Sequence, residues 1–445
     1  MPHAPDTGPR PVSPAPSTIH LSGSQDLNCH HSLNFVSRES QAGPGCIQRC
    51  FVLDFAASSQ SPVVSRAWPF EEDYMTKPRN TGVALLSRRE AIGRVAGAGL
   101  GIVSVLHATE DAGAAGRQSS AAPATSRSAP MSIPSWNTEL KQLAPNVYAY
   151  TQGGGPGVPS SAISNGACIV GPDHWMAIDA FAAPPHTKAF LAAANKAAGK
   201  PCGRLVNTHH HADHTTGNCF FLPAEIVASE FCRQAVIKGG ISDLRGRPES
   251  WKVGANELKL APPVTTIDDH SRVTYYYGDT EVQLIPNNPA HTWGDVMVYL
   301  PQYKILWAGD IAFHYVAPAG QSAYISKWIE AIDRINKMDV DVIVPGHGPI
   351  STKKDLALMR EYLETAKREA RRRYDAGMSA GKAAAEIERA MSKFDSWVDP
   401  AANRIVPNVV RLYAEFNGTI APDLPNEATR KANEDYKAAK SAGSR

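Results

Sequence analysis

"NTHHHADHTTGN", residues 207–218, places four histidines and an aspartate within a single short segment, in a 445-residue chain that has only fifteen histidines. The run that leads into it, "GRLVNTH" (203–209), is short and largely apolar, the pattern of a buried strand. A strand ending at Thr208 delivers His209 and His211 with the same facing, because alternate residues point to one side. Both imidazoles can then reach one metal ion. Asp213 and His214 follow where the chain must turn, and can face a second ion. Nitrogen and carboxylate donors of this kind suit Zn²⁺, and Fe, Mn or Ni share the preference. Taken alone, the segment could equally be a solvated histidine cluster on the surface.

Working outward, three more strand ends carry ligand-type residues: "NPAHTWGD" with His291, "LWAGD" with Asp310 and "VPGHGP" with His347. Each falls where an apolar run gives way to a turn. Together with H-x-H-x-D-H, the series resembles the metallo-β-lactamase superfamily over roughly Leu140 to Ile350. The resemblance implies an α/β protein with an αββα sandwich and a metal cleft at one edge of its two sheets. It implies that His209, His211 and His291 bind a first ion. Asp213, His214 and His347 would bind a second, and Asp310 would bridge both. Asp179, in "WMAIDAF", matches the family's acidic residue that orders the ligand loop; an ordinary strand-end turn is the plainer alternative. The implied cofactor is two Zn²⁺, with Fe or Mn as alternatives. The implied nucleophile is a metal-bound hydroxide bridging the two ions, with Asp213 and Asp310 as the catalytic residues. Coordination to zinc lowers the pKa of water from about 15.7 to about 7.

Asp310 stands where one class of zinc β-lactamases has cysteine, and "VPGHGP" departs from the glyoxalase II pattern. Flavodiiron proteins have glutamate where His211 stands. "NTHHHADHTTGN", "PAHTWGDVMVYLP" and "NVVRLYAEFNG" most resemble the exported or cyclase-like metallohydrolases, including those associated with quinoprotein systems. Three functions follow. The leading one is a zinc-dependent hydrolase of an ester, lactone, thioester or amide bond in a small molecule. The second is a mononuclear iron dioxygenase of the persulfide dioxygenase type, against which His214 and His347 count. The third is a non-catalytic binding protein, against which the unbroken ligand series counts.

Around this domain, composition is ordinary: 43% hydrophobic, 20% charged, net charge +2. Nothing in that balance points to nucleic acid or an anionic membrane as partner. Residues 1–74 are rich in Pro, Ser and Gly and read as disordered and outside the natural product. Residues 75–134 read as a signal and linker, with Arg88-Arg89 before a mild apolar run from Val95 to Leu106. That order resembles a twin-arginine export signal, giving a periplasmic or secreted protein that starts at Met75. The run is too short to span a bilayer, which takes about 20 apolar residues. Of seven cysteines, Cys168, Cys202, Cys219 and Cys232 lie beyond the linker with no CxxC spacing; two disulfides are one reading in an oxidising compartment, and buried thiols are the preferred one. The catalytic domain is expected over 135–352. A helical extension over 353–445 should pack on the sandwich, through a stripe of Val409, Leu412, Tyr413 and Phe416 that could instead form a dimer interface. Its last residues, from Pro425, read as frayed.

Overall fold

The computed structural model describes residues 129–158, 163–242, 244–399 and 403–442. The N-terminal segment, with the stretch expected to be disordered, the arginine pair, Cys29, Cys46 and Cys50, lies outside the described residues.

One sheet has seven strands in sequential order. They are β1 (Glu139–Ala144), β2 (Val147–Thr151), β3 (Gly166–Val170), β4 (Trp175–Ile178), β5 (Cys202–Val206), β6 (Glu225–Ser229) and β7 (Thr265–Ile267). The first pairings are antiparallel and those from β4 to β7 are parallel. The second sheet runs β12-β11-β10-β9-β8. Its strands are β8 (Val273–Tyr277), β9 (Thr280–Pro286), β10 (Val296–Leu300), β11 (Ile305–Phe313) and β12 (Val342–His347), and only the β11–β12 pairing is parallel.

Alternation of side chains builds the layers. Ile169 of β3 and Ile305 and Trp307 of β11 point between the sheets, where they meet Val206, Val227, Leu284 and Val298 in a common core. Their neighbours Cys168 and Leu306 point outward. The outer face of the first sheet is covered by α1 (Pro184–Ala198) through Phe190 and Ala194. Proline opens that helix and Gly199, at φ 65°, closes it in the left-handed conformation that glycine adopts without penalty. Between the parallel strands lie the single-turn α2 (Ala212–Thr215), α3 (Glu230–Gly239) and the short α4 (Glu249–Lys252).

The outer face of the second sheet is covered by α5 (Ile325–Asn336) and α6 (Lys353–Asp375), and α7 (Ala380–Ala390), α8 (Ile405–Phe416) and α9 (Asn426–Ala442) pack on these in one continuous cluster. On α5, Ile325, Trp328, Ile329, Ile332 and Ile335 are all buried, the stripe its helical period prescribes. Helix α6 begins at a capping box in which Thr352 and Asp355 satisfy each other's backbone N–H groups. The α8 stripe is core: Val409 and Leu412 are fully buried in the cluster beneath the sheet. The tail departs from the frayed segment expected. Residues 426–442 are helical because Ala432 and Tyr436, one turn apart, bury against the rest of the bundle. The four cysteines among the described residues are free thiols. Among the described residues, no helix is long and apolar enough to cross a membrane.

Candidate metal centre

All seven ligand-type residues meet at one edge of the sandwich. His209, His211, His291 and Asp310 form one group and Asp213, His214 and His347 an adjoining one; within each, the ligand atoms lie within 4.8 Å of one another. In the first, His209 Nε2 lies 3.1 Å from His211 Nδ1, which lies 2.9 Å from His291 Nε2. A tetrahedral site with metal–nitrogen bonds of about 2.0–2.1 Å has nitrogens about 3.3 Å apart, so this triangle needs only slight opening to hold an ion.

The strand-alternation reading of His209 and His211 is corrected in its geometry. β5 ends at Val206, and His211 is already the extended residue that caps α2. The two side chains therefore converge through different ring nitrogens, on a bend. Asn207 and Asn218 hold that bend with reciprocal amide bonds of 3.0 and 2.9 Å.

In the second group, Asp213 Oδ2 is 3.1 Å from His347 Nε2 and 3.6 Å from His214 Nε2. Asp310 divides its oxygens. Oδ2 faces His291 at 3.2 Å and His347 at 3.4 Å, while Oδ1 faces His214 at 3.2 Å. That carboxylate reaches both groups because β11 and β12 slip register twice, between Trp307 and Gly309 and again before Phe313. Gly346, opposite, leaves the space: a Cβ there would fall on Asp310 Oδ1.

Asp179 receives the backbone N–H of Thr208 at 2.8 Å and its hydroxyl at 2.9 Å, and His214 Nδ1 at 2.7 Å. It therefore ties the histidine-rich loop to the His214 ring, and it does so from a left-handed backbone, φ 58°.

Electrostatics divide the histidines. Burial, reinforced by neighbouring imidazoles, holds His209 and His211 well below the usual range, so both are neutral and free to donate lone pairs. Burial also depresses His347, but Asp310 and Asp213 outweigh it and lift the ring to about 9. His214 is driven up by Asp310, Asp179 and Asp213 in the same way, against its burial. Burial pushes Asp310 upward, and His347, His214, His291 and His209 more than reverse it, so its carboxylate is ionised.

The residues fit a pair of divalent ions. His214 Nε2 and Asp310 Oδ1 are buried where the two groups abut, 3.2 Å from each other and with no other hydrogen-bond partner. Buried polar atoms are rarely left so, and a cation between them would satisfy both.

Several contributors escaped the sequence reading. Ser164 Oγ donates to the carbonyl of Asp213 at 2.5 Å. Asn165 Nδ2 donates to the carbonyls of Pro345 and Gly348, on either side of His347. Asp295, buried, holds Thr292 beside His291 through 2.8 and 2.7 Å bonds, and burial lifts its carboxyl to about 6. Ser322 Oγ lies 3.0 Å from His211 Nε2. Asp295 closes the "NPAHTWGD" segment and could have been noticed; the others come from segments with no local signal.

Residues 163–347 match the family model described as the metallo-beta-lactamase superfamily. The chain is similar to metallo-beta-lactamase type 2 of Bacillus sp. (strain 170), at 26% identity over 48% of this chain and 77% of that protein. Its similarity to metallo-beta-lactamase type 2 of Bacillus cereus is 25% over 47% of this chain and 77% of that one. The 2,4-dinitroanisole O-demethylase subunit alpha of Nocardioides sp. (strain JS1661) is 23% identical over 40% of this chain, which spans 51% of that protein. Among solved structures, a metallo-beta-lactamase from Pontibacter korlensis aligns at 21% identity, covering 51% of this chain and 98% of that chain, with a TM-score of 0.41.

Proposed function

We propose, from the premise that residues 163–347 are a metallo-β-lactamase superfamily domain, that the chain is a metal-dependent hydrolase carrying two Zn²⁺. The observation that carries this reading is Asp310, whose carboxylate faces both halves of a seven-residue donor set, Oδ2 lying near His291 and His347 and Oδ1 near His214. His209, His211 and His291 would hold one ion, and Asp213, His214 and His347 the other, with Asp310 between them. Bound there, the ions supply an activated water near neutral pH and a Lewis acid for a substrate carbonyl.

The protein's own contribution is placement. Asp179 keeps Nδ1 of His214 protonated and its Nε2 lone pair turned inward. The ring of Phe313 stacks on His347 at 5.0 Å, and Trp328 sits 4.9 Å from His291, so apolar walls back two ligands. A cavity of about 310 Å³ flanks His211, lined by Ala212, Ala235, Val236, Gly240 and Leu260. That volume and lining suit the apolar part of a small substrate with an ester, lactone, thioester or amide bond.

Metal analysis of purified protein, followed by a panel of lactones, thioesters, aryl esters, β-lactams and nitroaryl ethers, tests the reading. Two zinc ions per chain with turnover of at least one acyl substrate is the expected result. One iron per chain with oxygen-dependent consumption of a persulfide would replace it with the dioxygenase. The Arg88-Arg89 segment supports an exported, periplasmic or secreted location for this activity.

A further inference from the structure

Helix α8 lies outside the segment matched to the family, yet one of its faces is polar, buried and turned toward the metal centre. Asn408, Arg411 and Glu415, at i, i+3 and i+7, share that face. Each grips the segment 318–326, which passes over the first metal group. Asn408 Nδ2 donates to the carbonyl of Pro318 at 3.1 Å. Arg411 donates through Nε to the carbonyl of Ala323, through Nη2 to that of Ser322 at 3.4 Å, and through Nη1 to that of Pro422 at 3.4 Å. Glu415 accepts from both the backbone N–H and the hydroxyl of Ser326. Gly320 allows the approach, since a Cβ there would strike the Asn408 carboxamide.

The gripped segment in turn touches the first group twice. Ser322 Oγ is 3.0 Å from His211 Nε2, and the backbone N–H of Tyr324 donates to the carbonyl of Ala290 at 2.9 Å, next to His291. His211 presents Nδ1 to His209 and His291. To offer a lone pair there it must carry its proton on Nε2, and Ser322 Oγ is the acceptor that holds this tautomer.

Arg411 is the unexpected member. Its side chain is 1% exposed, and its donors all go to backbone carbonyls. Burial lowers it only to about 10, so the charge is present at neutral pH. Glu415 and Asp423 offset part of that burial without hydrogen-bonding the guanidinium, and a buried cation held on carbonyls is costly to keep for packing alone.

We infer that Arg411 and Ser322 are positioning residues for the first metal ion, with the C-terminal helix α8 setting the orientation of His211 through the 318–326 segment. The inference rests on the metal-centre reading. It is tested on the full chain with Ser322→Ala, Arg411→Met, Arg411→Lys and the Ser322→Ala/Arg411→Met double variant. Zn²⁺ affinity is measured against a chromogenic chelator, Co²⁺ is used for the ligand-field spectrum of the first site, and near-ultraviolet circular dichroism reports the fold. Ser322→Ala should weaken the first ion by about 10- to 100-fold and shift its Co²⁺ bands. Arg411→Met should do the same, and Arg411→Lys should recover most of the affinity. Because Arg411 acts through Ser322, the double variant should lose no more than the weaker single variant, within a factor of about two. Independent losses that multiply would make Arg411 merely structural and overturn its part. Wild-type affinity and spectrum in Ser322→Ala overturn the inference outright, whether or not Arg411→Met folds. A wild-type protein that binds no metal at all would instead defeat the metal-centre reading.

Discussion

Replacing Asp179 by asparagine removes a charge while leaving shape and backbone in place, since asparagine accepts the left-handed φ of 58° found there better than most residues. The carboxylate now accepts three bonds, from Thr208 N, Thr208 Oγ1 and His214 Nδ1. An amide has one oxygen. If it stays on the Thr208 N–H, its NH₂ turns toward the hydroxyl and the imidazole. The hydroxyl can rotate to accept, but the Nδ1–H of His214 then faces another donor. Stranding a buried donor costs about 1–3 kcal/mol. The alternative is for His214 to move its proton to Nε2, which removes the lone pair that would hold a metal. Either route falls on the second ion, and 1.4 kcal/mol is tenfold, so its affinity should drop on the order of 10- to 100-fold. The first ion, whose ligands do not touch Asp179, should be affected less. Titrating zinc into apo-protein against a chelator resolves the two events, and a thermal melt of both proteins checks the fold. A second-ion affinity within about twofold of wild type, in a variant that melts normally, would reduce Asp179 to a turn residue.

Asp310→Asn should keep the fold but lose about 100-fold or more in turnover, because one neutral amide cannot offset two dications; stoichiometric zinc at wild-type affinity with undiminished turnover would remove Asp310 from the centre. Gly346→Ala drives a methyl group onto Asp310 Oδ1 and close to the backbone of Gly309, so activity should collapse and stability should fall by about 1–3 kcal/mol, and an active variant would refute the close approach. His347 is raised from 6.5 to about 9, so in metal-free protein its contribution to stability is complete below 6.5 and lost as pH rises through about 9. Metal must displace that proton and the one on His214, so zinc uptake at pH 7 should release about two protons, read by calorimetry in buffers of different ionisation enthalpy; release of none would contradict these charge states. Starting the chain at Met75 and changing Arg88 and Arg89 to lysine should trap folded protein in the cytoplasm, and export at the unchanged rate, seen by fractionation, would dismiss the twin-arginine signal.

The candidate ligands were legible because chemistry and folding use different parts of this chain. Each of His209, His291 and His347 follows an apolar run whose period declares a strand, so a histidine just past its end stands out against it. The relation of the ligands to one another was less legible. His209 and His211 converge through unlike nitrogens because β5 stops three residues before His209, which no local pattern announces. Strands β1 and β7 carry only intermediate or exposed positions apart from Ile267, so alternation was too weak to reveal them. Residues 426–442 look like a solvated charged tail, and only the burial of Ala432 and Tyr436 on the bundle makes their helix stable.

The expected division into a sandwich segment and a helical extension is where sequence and structure differ most in meaning. An αββα sandwich needs apolar cover on both outer faces. The first sheet is covered by α1, but α5 alone spans too little of the second. Leu306, Ala308, Ile311 and Ile343 share their cluster with Met359 and Leu363 of α6, Ile387 of α7 and Leu412 of α8. Fully burying such a side chain is worth about 1.5–3 kcal/mol, so losing these helices would forfeit more than a domain's net stability of roughly 5–15 kcal/mol. The helices after Ser351 are therefore part of the fourth layer, and that layer continues to the metal centre. Trp328 of α5 rests on His291, and Phe313, at the end of β11, stacks on His347. Packing on the outer face of the second sheet thus fixes the aromatic walls behind one candidate ligand from each group.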